Sequence, residues 1–219
     1  EQLRSGWGAL LKPLAWQGAL CYGPSPSSKA TFTHPASLLK NWNGLPDPAE
    51  AAPAVIKRYL SAYGPATPET FDAWLSRNSN RKSTLRGWFA SLGEQVVEVR
   101  VEGETRYLLA EHEDELAATR PSRATHLLGA FDQFVLGPGT KDTHMLASEH
   151  RSLVSKAAGW IAPVLTRGGR ITGVWDMDDG NLVVTPFPGE QAPPSKVLED
   201  TAARLAAVHG SVKVAPRVD

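Results

Sequence analysis

Five segments of alternating period, crowded between Ala51 and Leu109 with connections of only a few residues, restrict this chain more than any other feature. Val55, Ile56, Tyr59, Leu60 and Tyr63 recur at helical spacing until Gly64-Pro65 stops the run. Thr67 suits an N-cap, Pro68 the first helical position and Glu69 the positive helix end, while Phe71, Trp74 and Leu75 supply the apolar side of a second helix. After a turn at Ser76-Arg77-Asn78-Ser79, a third helix over 80–92 points Leu85, Trp88, Phe89 and Leu92 inward and ends at Gly93. Two strands, 95–101 and 105–109, then flank Glu102-Gly103-Glu104 at hairpin spacing. Helix, helix, turn, helix and hairpin in that order predict a winged helix, a helix-turn-helix unit carrying a β-hairpin wing.

The flanks have a different texture. Leu3, Trp7, Leu10 and Leu11 predict a helix over 2–12 that ends at Pro13, and strands at 18–23 and 29–34 enclose a Pro- and Ser-rich loop. Gly and Pro in Asn43-Gly44-Leu45-Pro46-Asp47-Pro48 mark a segment boundary. Beyond Pro121 the pattern predicts a strand over 126–136, a short helix over 149–157, and strands at 161–166, 170–174 and 182–187, the last entered through Asp178-Asp179-Gly180-Asn181. A late helix begins at Ser195, buries Val197, Leu198, Ala202, Leu205 and Val208, and closes at Gly210 before a last strand at 212–214. The expected class is α+β: the end of one winged-helix unit over 1–45, a complete winged helix over 50–116, and a small β-barrel-like domain over 122–219. No period of 20 to 50 residues recurs, which excludes a solenoid.

Composition limits the partners. With 42% hydrophobic and 21% charged residues the 219-residue chain is globular, and it buries on the order of 70% of its extended surface. Lys+Arg 23 against Asp+Glu 23 leaves no global field to attract a polyanion, so any such binding needs a local patch. One exists: Arg77, Arg81, Lys82 and Arg86 lie in a stretch without an acidic residue from Leu75 to Gly93, and such cations pair with phosphates or guanine edges. A solvated helix face would show the same charges. Arg100 and Arg106 extend the patch to the wing, where Glu98, Glu102 and Glu104 oppose deep groove insertion.

Other chemistries fall away. Cys21 stands alone, which excludes an intrachain disulfide framework and a multi-cysteine zinc site and favours a reducing compartment. His144 and His150 lack the helical spacing of metal ligands, so no metal or cofactor is expected. Asp142, Ser148 and His150 make a hydrolase trio only on paper, without a Gly-x-Ser-x-Gly elbow. Gly137-Pro138-Gly139-Thr140-Lys141 lacks the phosphate-loop spacing and reads as a turn, which excludes nucleotide hydrolysis. Glu111 to Glu115 starts a linking helix or a solvated one; Asp132, among apolar neighbours, is turned to solvent or held by hydrogen bonds. The least charged stretch, 13–28, is too short and too rich in proline to cross a membrane.

Several spaced motifs resemble one family. Arg58-Tyr59-Leu60-Ser61-Ala62-Tyr63-Gly64-Pro65-Ala66-Thr67, the stretch from Leu127 to Gly137 containing Phe131-Asp132-Gln133-Phe134, and Gly169-Arg170-Ile171-Thr172-Gly173-Val174-Trp175 are similar to the bacterial winged-helix DNA-binding domain family that includes the AlkZ- and YcaQ-type glycosylases, which unhook interstrand crosslinks. Leu11 to Gly18 and Tyr22-Gly23-Pro24 fit its preceding segment. The resemblance implies tandem winged helices before a C-terminal barrel, and a Gln-x-Gln or Gln-x-Asp motif in the first winged helix. No such motif occurs here, and Lys141-Asp142 stands where the family tends to have Asp-Arg, so no catalytic residue is carried over. The chain starts at Glu1 without a Met or a leader pattern and corresponds to the later two-thirds of that architecture. The expected function is a cytoplasmic, nucleoid-associated part of a DNA-repair glycosylase-like protein that grips double-stranded DNA. The other expectation is a winged-helix protein-interaction module without DNA or enzymatic activity, which the neutral charge favours.

Overall fold

The computed structural model describes residues 11–27, 29–209 and 217–218. Two compact units divide the chain, Glu1–Ala52 and Pro53–Asp219.

In the first unit, helix α1 (Lys12–Trp16) carries Pro13 in its opening turn. This corrects the expectation that Pro13 ends a helix: proline lacks the N–H that a first turn leaves unpaired anyway, so it starts one. The rest of that expected helix, before residue 11, lies outside the described residues. Strands β1 (Cys21–Tyr22) and β2 (Phe32–Thr33) form a hairpin much shorter than the pattern predicts, with the Tyr22 and Phe32 rings stacked at 5.3 Å.

The second unit begins with the end of α2 (Pro48–Tyr63) and continues through α3 (Pro68–Ser76) and α4 (Lys82–Ala90). Strands β3 (Val96–Val101) and β4 (Glu104–Leu109) pair antiparallel across Glu102 and Gly103, whose φ values of 49° and 89° are those of a tight two-residue turn. Ala66 exchanges backbone hydrogen bonds with Tyr107, at 2.9 and 2.8 Å, which stitches the α2–α3 connection to the hairpin. Ile56, Tyr59, Leu60, Phe71, Leu85, Phe89, Leu92, Leu108 and Leu109 are buried. Phe71 lies edge-on to Tyr59 and Phe89 at 5.4 and 5.8 Å. Trp74 and Leu75 are exposed, contrary to expectation, and Asp72 takes the inward position beside Phe71.

Thr67 caps α3: its Oγ1 accepts from the Thr70 amide at 3.1 Å, and Thr70 Oγ1 accepts from the Thr67 amide at 3.0 Å. We expect Thr67→Ala to cost about 1 kcal/mol, with Thr67→Ser close to wild type. Chemical denaturation of the three proteins checks this, and equal stability for all three would remove the cap from the account.

The remainder, after α5 (Glu113–Ala118), is a five-stranded sheet in the order β5 (Thr125–Leu128), β6 (Val164–Arg167), β7 (Arg170–Asp178), β8 (Asn181–Pro186), β9 (Arg217–Val218), antiparallel except for β8 with β9. It is open among the described residues, which corrects the expected barrel. Among the described residues β5 pairs only with β6 and β9 only with β8, so the two edge strands do not meet as closing a cylinder requires. Adjacent Val164 and Leu165 point to opposite faces. Val164 joins Val135, Leu146, Val154, Ile171 and Phe187; Leu165 joins Leu182, Val184 and Leu198 of helix α8 (Ser195–His209).

The strand expected over 126–136 stops at Leu128. Phe131 adopts φ 57°, and Asp132 Oδ1 accepts from the Phe134 amide at 2.8 Å, starting helix α6 (Gln133–Leu136). A run that alternates well enough for a strand is thus broken by an N-cap. Helix α7 (Arg151–Val154) is shorter than the expected one. The strand expected at 212–214 lies outside the described residues.

Candidate nucleic-acid interface

The turn between α3 and α4 is held by a buried carboxylate. Asp72, 3% exposed, accepts from the Ser76 hydroxyl at 2.5 Å, from Asn80 Nδ2 at 2.7 Å and from the Asn80 amide at 3.2 Å. Ser76 Oγ in turn accepts from the Ser79 amide at 3.0 Å. Arg77 and Asn78 adopt left-handed φ values of 59° and 63°, and the Arg77 amide donates to Ala73 O at 3.2 Å, closing α3. The reversal is therefore specified by side chains as well as by backbone.

Four of the six arginine and lysine candidates cluster on this turn and the helix after it. Arg77 closes α3, Arg81 is the N-cap residue of α4, and Lys82 and Arg86 stand one turn apart along it. All four are exposed, and none forms an ion pair among the described residues. Arg81 and Lys82 also sit at the positive end of α4, where like charge is unfavourable by roughly 0.3–1 kcal/mol. Among the described residues no carboxylate pairs with either cation, and an anion docked there would offset this arrangement.

The hairpin candidates separate. Arg100 is exposed, and its guanidinium donates to Thr105 Oγ1 at 3.0 Å. Arg106 is turned inward, its side chain 12% exposed, with Nε on Glu104 Oε2 at 2.8 Å, and Nη1 3.5 Å from Asp142 Oδ2 and donating to Pro65 O at 3.4 Å. His144 Nδ1 lies 2.9 Å from Glu102 Oε2. The hairpin tip is thus clasped by the 142–144 segment, and Arg106 braces that clasp. Beside it, burial first and the neighbouring Glu98 charge second raise the Tyr107 hydroxyl above its ordinary pKa. Burial likewise raises Tyr59, opposed by the hydrogen bond with Thr70.

A cleft of about 1020 Å³ opens beside this clasp, lined by Arg77 and Asn78 from the turn, Arg106 from the hairpin, and Thr140, Lys141 and Arg151 from the sheet-bearing part. The Gly137 to Lys141 turn supplies one wall. Asp142, from the paper trio, is committed to Arg106 and to the His144 amide at 2.9 Å, while the His150 ring lies 4.3 Å from that of Phe187. Among the described residues no three His, Cys, Asp or Glu side chains gather as a metal site, and no helix is long and apolar enough to cross a membrane.

Sequence reasoning missed Asp72, Lys141 and Arg151. The signal for Asp72 was available: Asp72, Ser76 and Asn80 recur every four residues, so an aspartate next to Phe71 finds a hydroxyl one turn on. Lys141 and Arg151 have no such signal, because only the fold brings them beside Arg77.

The profile of the AlkZ-like family, described as DNA glycosylase AlkZ-like, matches residues 2–208. An interstrand DNA cross-link repair glycosylase of Streptomyces sahachiroi is 55% identical over 219 residues, 100% of this chain and 59% of that protein. The solved structure of the Streptomyces sahachiroi DNA glycosylase AlkZ superposes with a TM-score of 0.92 at 55% identity, again over 100% of this chain and 59% of the other. The chain therefore spans about three-fifths of the length of the relative it matches. With nearly every residue inside the match, the chain belongs to the AlkZ-like DNA glycosylase family.

Proposed function

We propose that this chain is the duplex-gripping part of a DNA-repair glycosylase, built as a winged helix over 50–116 beside the sheet-bearing part over 122–219. In this reading α4 is the DNA-facing helix and the β3–β4 hairpin is the wing. The observation that carries it is the four exposed cations of the acid-free run from Arg77 to Arg86, without ion-pair partners among the described residues and on a turn held in place by Asp72. Arg77, Arg81, Lys82, Arg86 and Arg100 contact phosphates, while Arg106 braces the wing. Their contribution is affinity: each phosphate neutralised releases counterions, and the freed ions favour binding.

The whole protein then acts as a monofunctional glycosylase, replacing the bond between sugar and damaged base by a bond to water. A polar side chain positions that water as the base departs. No residue of this chain is assigned to that step, since Gln2, Gln17, Gln95, Gln133 and Gln191 are isolated from any Gln-x-Gln or Gln-x-Asp pattern.

Binding to a labelled duplex across a salt series tests the grip. We expect Arg81→Ala/Lys82→Ala/Arg86→Ala to flatten the slope of log affinity against log salt by about 2 to 3, at ~0.9 per lost phosphate contact. Binding by the unaltered chain that does not respond to salt would instead favour the interaction-module reading, for which the exposed Trp16 and Tyr22 of the first unit are the natural surface.

A further inference from the structure

We propose that the cleft between the α3–α4 turn and the Gly137–Lys141 loop is a second nucleic-acid site, in which Arg77, Lys141 and Arg151 hold a phosphodiester strand. This rests on the duplex-gripping reading and extends it to the sheet-bearing part of the chain, where the sequence singled out no binding residue.

Charge inside the cleft decides its ligand. Arg77, Lys141, Arg151, Arg106 and His144 line it, opposed by Glu69, Glu104 and Asp142. Arg106 is paired with both Glu104 and Asp142, at 2.8 and 3.5 Å, so its single positive charge offsets one of their two negative charges within the wall. His144 faces Glu102 at 2.9 Å. Arg77, Lys141 and Arg151 then face Glu69 and the one carboxylate charge that Arg106 leaves over, three positive charges against two negative. All three are exposed and lack an ion-pair partner among the described residues. Glu69 stands at the opposite end of α3 from Arg77, where the helix N-terminus favours it.

The chemistry of the walls is that of backbone recognition. Arg151 Nε donates to Thr140 Oγ1 at 3.3 Å, which orients the guanidinium beside the loop. Asn78, Thr140 and Ser155 add uncharged polar groups of the kind that position phosphates without reading bases. About 1020 Å³ exceeds what a single phosphate needs and suits a run of sugar and phosphate. The site is also built in advance of binding: the Asp72 network fixes the turn that starts at Arg77, and the Arg106–Asp142 and His144–Glu102 pairs fix the segment following Lys141. Preorganised cations lose little freedom when an anion arrives.

The test uses the chain as it stands, with Lys141→Ala, Arg151→Gln and their combination beside the α4 triple variant. Arg151→Gln keeps a donor for Thr140, and melting without DNA confirms that each variant is folded. Titrations use a 16-base-pair duplex and one of its strands alone, across the same salt series. Each single change should weaken binding by about three- to tenfold and lower the salt slope by about 0.9, with Arg151→Lys restoring the slope. The same losses on the lone strand identify a single strand as the ligand; losses confined to the duplex identify a strand presented within a helix. Affinity within twofold of wild type and an unchanged slope in Lys141→Ala/Arg151→Gln, while the α4 variant still loses binding, would overturn the cleft site and leave the α4 grip standing. Absence of salt-dependent binding by the unaltered chain would overturn both.

Discussion

Replacing Gly137 with alanine should destabilise the second unit by about 2 to 3 kcal/mol, lowering its Tm by roughly 4 to 12 °C. A methyl group at Gly137 would fall within the ring of Tyr63, overlapping Cδ1, Cε1 and Cζ. That ring has little room to yield. It packs against Tyr59 at 5.3 Å and Trp74 at 6.4 Å, and its hydroxyl lies 3.2 Å from Gln133 Oε1. The Tyr59 hydroxyl donates to the Gly137 carbonyl at 3.4 Å from the same side, so the backbone cannot retreat without losing that bond. Tyr63→Ala removes the obstacle, and in the double variant Gly137→Ala should cost at least ~1 kcal/mol less than it does alone. Thermal melts of the four proteins measure the coupling. Equal costs with and without the Tyr63 ring would show that the contact between helix α2 and the sheet-bearing part is loose.

Asp72→Ala should cost about 3 kcal/mol, since it leaves a half-buried hydroxyl, a side-chain amide and a backbone N–H without the buried carboxylate that accepts from them. Asp72→Asn is expected to fall between, because one of its two polar atoms must face a donor with a donor. Binding separates bracing from charge. Removing a negative group beside a cationic patch would, through Coulomb's law alone, tighten DNA binding. We expect the reverse, a loss of about tenfold or 1.4 kcal/mol, because Arg77 and Arg81 flank the turn that Asp72 orders. Tighter binding by a folded Asp72→Ala chain would show that the carboxylate acts on the interface only through its field.

The legible parts of this protein are those whose causes are local. Gly64-Pro65 stops α2, Thr67 and Pro68 start α3, and Gly103 turns the hairpin, each through conformational preferences that neighbouring residues satisfy by themselves. The cationic run from Arg77 to Arg86 was equally visible, as exposure and the absence of acids need no distant partner. Where a local pattern admitted two outcomes, the reading went astray. Pro13 can begin a helix as well as end one, and the residues from His126 to Leu136 alternate like a strand until Phe131 and Asp132 break the run.

Tertiary structure decided the rest. Whether five strands seal into a barrel depends on what β5 and β9 meet at the sheet edges, which no periodicity within a strand encodes. Arg106 and Arg77 carry the same charge in the sequence, but Glu104 and Asp142 draw one inward while the other borders an open cleft. Lys141 and Arg151 lie 64 and 74 residues along the chain from Arg77, and contacts between distant segments, Gly137 with Tyr63 and Asp142 with Arg106, bring them beside the α3–α4 turn. The sequence alone therefore determined the helical and hairpin segments and the sign of the exposed surface, because these follow from neighbours a few residues away. Which charges are compensated, and which are left facing a ligand, was decided by contacts between distant segments.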